Sequence, residues 1–313
     1  MQGAIDETVA ERLWDGQVPL RISVHPADAA ALGVHSKSLS LYLSVHRFSY
    51  LTLIATDVRR FFADADGGNA RLGEVDDADI WFECKGEPLK WHYPVGLLAD
   101  MTTAANAAIP IAPLPWHVTV RFLNFPADKL LRGHSESMLS MTSDAFMSMI
   151  KEADFMRNGN IKKVMGLSKQ DQTQLWESFA AHRFRDFWNV NAQLVAGGSE
   201  GVNGGGSYPR FVPMRVYVAG CAVVQEPVSP VDGESDHEYT LGEILSNILP
   251  RYYSSIPGGQ VSRRSPNGTG EVTTFPAAVP ILHGIEVPPD TPLVWLSRNC
   301  SYPDNFLHVV LRF

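Results

Sequence analysis

Two short strings recur in the same order towards opposite ends of the chain, and this recurrence restricts the fold more than any other feature. Pro88-Leu-Lys-Trp91 precedes His117-Val-Thr-Val-Arg-Phe122, as Pro292-Leu-Val-Trp295 precedes His308-Val-Val-Leu-Arg-Phe313. The periodicity around the strings repeats as well. In the first half, Arg21 to His25 reads as a strand. Leu39, Leu41, Leu43 and Val45 alternate with polar or aromatic residues, as in a half-buried strand. From Ser49, a candidate cap, the spacing of Leu51, Ile54, Val58, Phe61 and Phe62 becomes helical. Ile80 to Cys84 and Pro88 to Trp91 flank a Lys85-Gly86 hairpin turn, Val95 to Met101 makes a short helix, and His117 to Leu123 closes the unit as a strand.

The last hundred residues follow the same grammar. Phe211 to Ala219 and Cys221 to Gln225 form a strand pair, and Thr240 to Ile248 a helix opened by a Thr240/Glu243 capping box. Ile281 to Val287, Pro292 to Leu296 and Phe306 to Phe313 supply strand, short helical element and closing strand. Each copy is a sheet with helices on one side, so the fold class is α+β. Between the copies, Ser143 to Arg157 sets Phe146, Met149, Ile150, Ala153 and Met156 on one helical face, and a further aromatic-rich helix starts near Ser168. Gly197 to Ser207 reads as a flexible linker and Arg251 to Phe275 as a long polar loop. The boundaries that follow are an N-terminal helix at 1–18, a first α+β domain at 19–125, a helix-rich domain at 126–197, a Gly-rich linker at 198–207 and a second α+β domain at 208–313.

The chain's 313 residues suffice for such domains without metal or disulfide staples. A net charge of -8 gives no general attraction to phosphate backbones and weighs against nucleic acid as a partner. Cys84, Cys221 and Cys300 are scattered and odd in number, which favours a reducing compartment. Neither a secretory start nor a run of eighteen apolar residues is present, so a cytoplasmic location, at most peripheral to a membrane, is expected.

Sites of chemistry are scarce. Gly197-Gly-Ser199-Glu-Gly201 spells G-x-S-x-G but lies in a glycine linker without the strand and helix a nucleophile elbow needs. Asp64-Ala-Asp66-Gly-Gly68 starts like a calcium loop and then lacks its later acidic ligands. The ten histidines never fall at H-x-x-x-H spacing, and His92, His117 and His308 sit among aromatic and β-branched residues as structural histidines do. Cys84 reads as a buried thiol. No catalytic, metal or cofactor residues are assigned. Trp14, a large apolar residue on a short terminal helix, must dock on its own chain or help form a groove for a partner helix.

The run Ile80-Trp-Phe-Glu-Cys-Lys-Gly-Glu-Pro-Leu-Lys-Trp-His-Tyr-Pro-Val-Gly-Leu-Leu98 resembles the signature of the autophagy protein 5 family. Arg47 to Leu53, Leu114 to Val120, Met149 to Asp154, Gln174 to Trp176 and Ser301-Tyr-Pro-Asp-Asn-Phe-Leu-His308 also agree with it. The resemblance spans nearly the whole chain. It implies two ubiquitin-like (β-grasp) domains flanking a helix-rich domain, with no catalytic activity in the chain alone. It also implies covalent conjugation to the ubiquitin-like autophagy protein 12, with Lys151 as the isopeptide acceptor. With autophagy protein 16, whose helix would occupy a groove, the conjugate would act as an E3-like complex. That complex would promote transfer of autophagy protein 8 from its lipid-conjugating enzyme to phosphatidylethanolamine, at the preautophagosomal membrane. A constitutive ubiquitin-like adaptor that needs no conjugation is the alternative, and a hydrolase or transferase with a dispersed site is a third reading.

At 100° per residue Lys151 lies about 160° from the centre of the face formed by Phe146, Met149, Ile150, Ala153 and Met156 and should project to solvent. An ordinary lysine of pKa about 10.4 is only ~0.04% neutral near pH 7, so activation of the amine must come largely from the conjugating enzyme. The segments Ala104 to Pro113, Arg132 to Met141 and Arg251 to Phe275 match the family poorly. Arg157, Lys162, Lys163 and Lys169 are better read as a solvated face than as a lipid-binding patch.

Overall fold

Val18, Leu20 and Ile22 alternate with more exposed neighbours in the first strand, β1 (Gln17–Val24), and their burial on one face fixes its register against the rest of the sheet. A computed structural model describes residues 6–34, 39–65, 71–105, 114–133, 138–195, 208–253, 260–264, 272–276 and 278–313. Helix α1 (Glu7–Trp14) precedes β1, and α2 (Pro26–Leu32), β2 (Ser40–His46), α3 (Ala55–Ala65), β3 (Trp81–Cys84), β4 (Glu87–Pro88), α4 (Val95–Ala104) and β5 (Trp116–Arg121) follow. The sheet order is β2-β1-β5-β3-β4, with β1 and β5 parallel at the centre and the other pairs antiparallel.

The helical stretch is α5 (Met138–Asn158), α6 (Lys162–Met165), α7 (Lys169–Ala180) and α8 (Phe184–Val195). Ser168 caps α7 by accepting from the Asp171 N–H at 3.0 Å. The last part of the chain contains β6 (Val212–Val218), β7 (Val224–Val228), α9 (Leu241–Ile248), β8 (Gln260–Arg264), β9 (Val272–Pro276), β10 (Val279–Leu282), β11 (Ile285–Glu286), α10 (Leu293–Asn299) and β12 (Leu307–Arg312), and five of these strands form the second sheet. Its order, β11-β10-β12-β6-β7, reproduces the first sheet strand for strand, with β6 and β12 as the parallel centre. Strands β8 and β9 pair separately, within the segment read from sequence as a loop. The Thr240/Glu243 capping box is formed in both directions.

By contact the chain divides into two units, residues 14–102 with 111–148, and residues 1–13 with 103–110 and 149–313. The first half of α5 groups with the first sheet, and its second half and α6 to α8 group with the second sheet.

One of the two recurring strings is structural and the other is not. His117 stands opposite Arg21 in the β5/β1 pairing, and His308 opposite Arg215 in β12/β6, so these histidines are positional equivalents. Pro88, in contrast, ends a strand and Trp91 lies in a turn, whereas Pro292 is the N-cap of α10 and Trp295 lies inside it. The true counterpart of the Lys85-Gly86 turn, φ 54° and 82°, is His283-Gly284, φ 53° and 77°. It breaks the strand expected over Ile281 to Val287 into the hairpin β10–β11. The left-handed first residue of that turn is a histidine, which carries no strong turn signal.

Other differences have local causes. The first strand starts at Gln17, before the expected domain boundary at 18/19. Helix α2 lies where no element was expected, although Pro26 in its first turn and a left-handed Gly33 at its end, φ 76°, are helix punctuation. Ser49 caps no helix: its N–H donates to the His46 carbonyl at 3.0 Å and its own carbonyl accepts from Val95 N at 2.8 Å. These bonds commit the backbone to the end of β2 and the start of α4, and α3 begins only at Ala55. The linker Gly197 to Ser207, with its G-x-S-x-G string, lies outside the described residues, as do Asp66 to Gly68 of the calcium-like turn.

Candidate functional site: a lysine on α5

The buried stripe of α5 runs through Phe146, Ile150, Ala153, Asp154 and Arg157, the i, i+3/i+4, i+7 pattern of a helix laid on a core. On the opposite side, Asp144, Ser148, Lys151 and Phe155 are exposed. Lys151 therefore presents its amine to solvent, as the helical spacing predicts. One turn on, the Phe155 ring is 58% exposed, an apolar surface beside the amine.

Three polar attachments fix the helix just after Lys151. The Glu152 carboxylate accepts from Arg215 Nη2 at 2.9 Å and from Gln225 Nε2 at 2.7 Å. Asp154 accepts from Asn158 Nδ2 at 2.7 Å and from the Val164 N–H at 3.2 Å, tying the end of α5 to α6. Buried Arg157 donates to the Asn305 carbonyl at 3.2 Å. Burial pushes the Arg157 guanidinium down to about 10, with the Asp154 carboxylate opposing the shift, and it stays charged at neutral pH. Arg157 is thus not one of a row of surface cations. Lys163 donates to the Leu194 carbonyl at 3.3 Å, and burial, followed by the nearby Arg157, depresses its pKa. Lys162 and Lys169 remain exposed.

Asn305 joins α5 to α8. Its side-chain amide exchanges two hydrogen bonds with buried Asn191, at 2.9 and 3.1 Å, and its backbone is left-handed at φ 68°. Asn305→Ala should destabilise the protein by about 2–4 kcal/mol, because it strands the Asn191 amide and places a Cβ residue in the left-handed region without help. Asn305→Gly should cost about 1 kcal/mol less, since it removes only the amide. Denaturant midpoints test the order, and an alanine variant as stable as the parent would refute it.

Trp14 settles inside the protein. Its side chain is 2% exposed and meets Phe48 edge-on at a centroid distance of 6.1 Å. An enclosed ring offers no surface to a partner helix, so the expectation of a groove anchor at Trp14 is corrected in favour of docking on its own chain.

Cys84 and His308 are buried, as expected. Tyr217 Oη and His308 Nδ1 are 2.7 Å apart, and His308 Nε2 lies 2.9 Å from Asp304 Oδ2. This string is closed to solvent and joins β6, β12 and the preceding loop. The more open His117 lies 2.9 Å from Ser23 Oγ through Nε2. Among the described residues no carboxylate hydrogen-bonds its other nitrogen, the orienting contact a serine nucleophile requires. A cavity of about 150 Å³ in the first unit is lined mainly by apolar side chains such as Leu51, Ile80, Trp81 and Leu89, with no histidine, cysteine or lysine. Among the described residues no group of three His, Cys, Asp or Glu side chains could hold a metal, and no helix is long and apolar enough to cross a membrane.

Helical spacing anticipates the exposure of Lys151 but not the contacts made by Glu152, Asp154, Arg157, Arg215, Gln225 and Asn305. Asp154 and Arg157 left a trace: both occur on the apolar stripe, where a polar residue must find a partner.

Three family models match in succession: the UblA domain of autophagy protein ATG5 over residues 13–122, its alpha-helical bundle region over 128–197 and its UblB domain over 211–311. Autophagy protein 5 of Aspergillus terreus is 30% identical, covering 97% of this chain and 96% of that one. The Drosophila melanogaster protein of the same name is 28% identical, covering 99% and 98%. The crystal structure of Kluyveromyces marxianus Atg5 superposes with a TM-score of 0.72 over 98% of this chain and all of that one, at 23% identity, and shows the same fold. With Lys151 exposed on a helical segment that follows one sheet in the chain and precedes a second of the same topology, and relatives matching end to end, this chain belongs to the autophagy protein 5 family.

Proposed function

We propose that the chain is an autophagy scaffold, without catalytic activity of its own, which becomes active when Lys151 is joined to the C-terminus of autophagy protein 12. The observation that carries this reading is the exposed amine of Lys151 on a helix whose neighbouring residues are fixed by Glu152, Asp154 and Arg157. In the transfer, the neutral Nζ attacks the carbonyl carbon of a thioester carried by the conjugating enzyme. The C–N bond forms, the C–S bond breaks, and the amine's proton leaves with the thiolate, giving an isopeptide and a free thiol. The conjugating enzyme supplies the base that takes the amine's proton.

The conjugate, with a helix of autophagy protein 16, then acts as an E3-like complex that promotes attachment of autophagy protein 8 to phosphatidylethanolamine. The chain works in the cytoplasm and at the preautophagosomal membrane, which it touches peripherally. Buried Arg157 takes no part in lipid contact on this reading, and Trp14 no part in holding the helix.

Incubation of the purified chain with the activating and conjugating enzymes, autophagy protein 12 and ATP should produce one slower-migrating band that survives thiol reductant. A mixture in which only thiol-sensitive adducts form would overturn the proposal.

A further inference from the structure

We propose that Arg215 is a positioning residue for acylation of Lys151, acting through Glu152; the inference rests on the acceptor role just proposed. Arg215 and Gln225 stand directly opposite each other on β6 and β7, so their side chains leave the sheet from the same face. The guanidinium is almost fully committed. Nε donates to Gln225 Oε1 at 2.6 Å, Nη2 to Glu152 Oε2 at 2.9 Å and Nη1 to Met149 Sδ at 3.1 Å, while its plane lies over the Phe306 ring at 4.3 Å. Gln225 Nε2 completes the ring by donating to Glu152 Oε1 at 2.7 Å. Both oxygens of Glu152 are thus held by two adjacent strands, although the side chain is 43% exposed.

Stability does not rest on this arrangement alone. The Glu152 end of the ion pair is 43% exposed, although Arg215 itself is 10% exposed, and the same helix is also anchored by buried Ile150 and Ala153 and by the bonds of Asp154 and Arg157. What the clamp fixes is the turn from Met149 to Glu152, which contains Lys151. Holding Glu152 against the sheet turns Lys151, 100° behind it, away from the sheet and fixes the point from which its side chain starts. Acyl transfer is sensitive to such placement, since a misplacement of about 1 Å can cost on the order of a hundredfold in rate.

The test is single-turnover transfer to the full chain from conjugating enzyme preloaded with the ubiquitin-like protein as a thioester, comparing Glu152→Ala, Arg215→Met, the double variant and Lys151→Arg. Each single variant should lower the maximal rate about tenfold, with the half-saturating concentration within about twofold of the parent, and the double variant should be no slower than the singles. Labelling of Lys151 by a small succinimidyl ester, which needs exposure but no alignment, should proceed at the parental rate in all three clamp variants. Maximal rates equal to the parent's would overturn the positioning role, and so would labelling that falls in step with transfer. If Arg215→Met fails to fold, Glu152→Ala, a half-exposed truncation, decides alone. Transfer to Lys151→Arg at the parental rate would instead remove the acceptor reading, and the positioning role with it.

Discussion

Lys151→Arg is expected to lose the reductant-resistant conjugate entirely while leaving the fold intact. The side chain is exposed and the charge is kept, so unfolding midpoints should move by less than about 0.5 kcal/mol. Reactivity is what changes. An arginine guanidinium holds its proton more tightly than a lysine ammonium, so its neutral fraction at pH 7 is smaller by about a hundredfold or more, and the guanidinium lone pairs are delocalised besides. Aspartate or glutamate would also block acylation but would alter the charge beside Glu152, so arginine is the cleaner substitution. The same variant separates the scaffold from an adaptor that needs no conjugation, because the adaptor would support normal lipid attachment of autophagy protein 8 with Arg at 151. A conjugate band of parental intensity would move the acceptor elsewhere.

Asp28→Ala should be the most damaging single substitution for the first unit, costing about 3–5 kcal/mol. Asp28 lies on α2 and is 1% exposed, yet its carboxylate is fully used. Arg121 approaches from β5 through Nε and Nη2, both at 3.1 Å, and the backbone N–H groups of Phe122 and Leu123 donate to it at 2.8 and 3.2 Å. One short helix is thereby fastened to the end of the central strand. Truncation would leave the Arg121 guanidinium, part-buried over the Trp81 ring, with Glu83 as its remaining carboxylate at 3.4 Å. It would also strip two backbone donors of their acceptor. Asp28→Asn keeps the shape and one acceptor oxygen and should cost less than alanine. Denaturant unfolding followed through Trp81 and Trp116 fluorescence measures both, and an alanine variant within 0.5 kcal/mol of the parent would show that α2 is held by packing instead.

The helix that carries Asp28 was not anticipated from sequence, and the reason is instructive. Pro26-Ala-Asp-Ala-Ala-Ala-Leu32 has too few apolar residues to show a period over so short a span. Only Pro26 and Gly33 marked its ends. The paired topologies were legible because alternation in β2 and the helical spacing of α5 are local properties, and because His117 and His308 occupy equivalent positions in their central strands. The same style of matching misled at Pro88 and Pro292, where identical letters stand in a strand and at a helix cap.

At the candidate site the exposure of Lys151 follows from the angle it makes with Ile150 and Ala153, whereas the acceptor role proposed for it rests on family resemblance. The clamp on its neighbour was out of reach. Glu152 meets Arg215 and Gln225 across 63 and 73 residues of chain, and no periodicity within either segment encodes that meeting. Arg157 was assigned to a solvated face because a cation at the end of a helix is normally exposed. Here the Asn305 carbonyl and the Asp154 carboxylate give it partners in the interior.

Peptide mapping of the reconstituted conjugate by mass spectrometry tests the central claim most directly. The account predicts one branched peptide in which Lys151 Nζ carries the C-terminal residues of autophagy protein 12, with Lys162, Lys163 and Lys169 unmodified. A conjugate whose branch maps to any other lysine, with Lys151 recovered as a free amine, would contradict it.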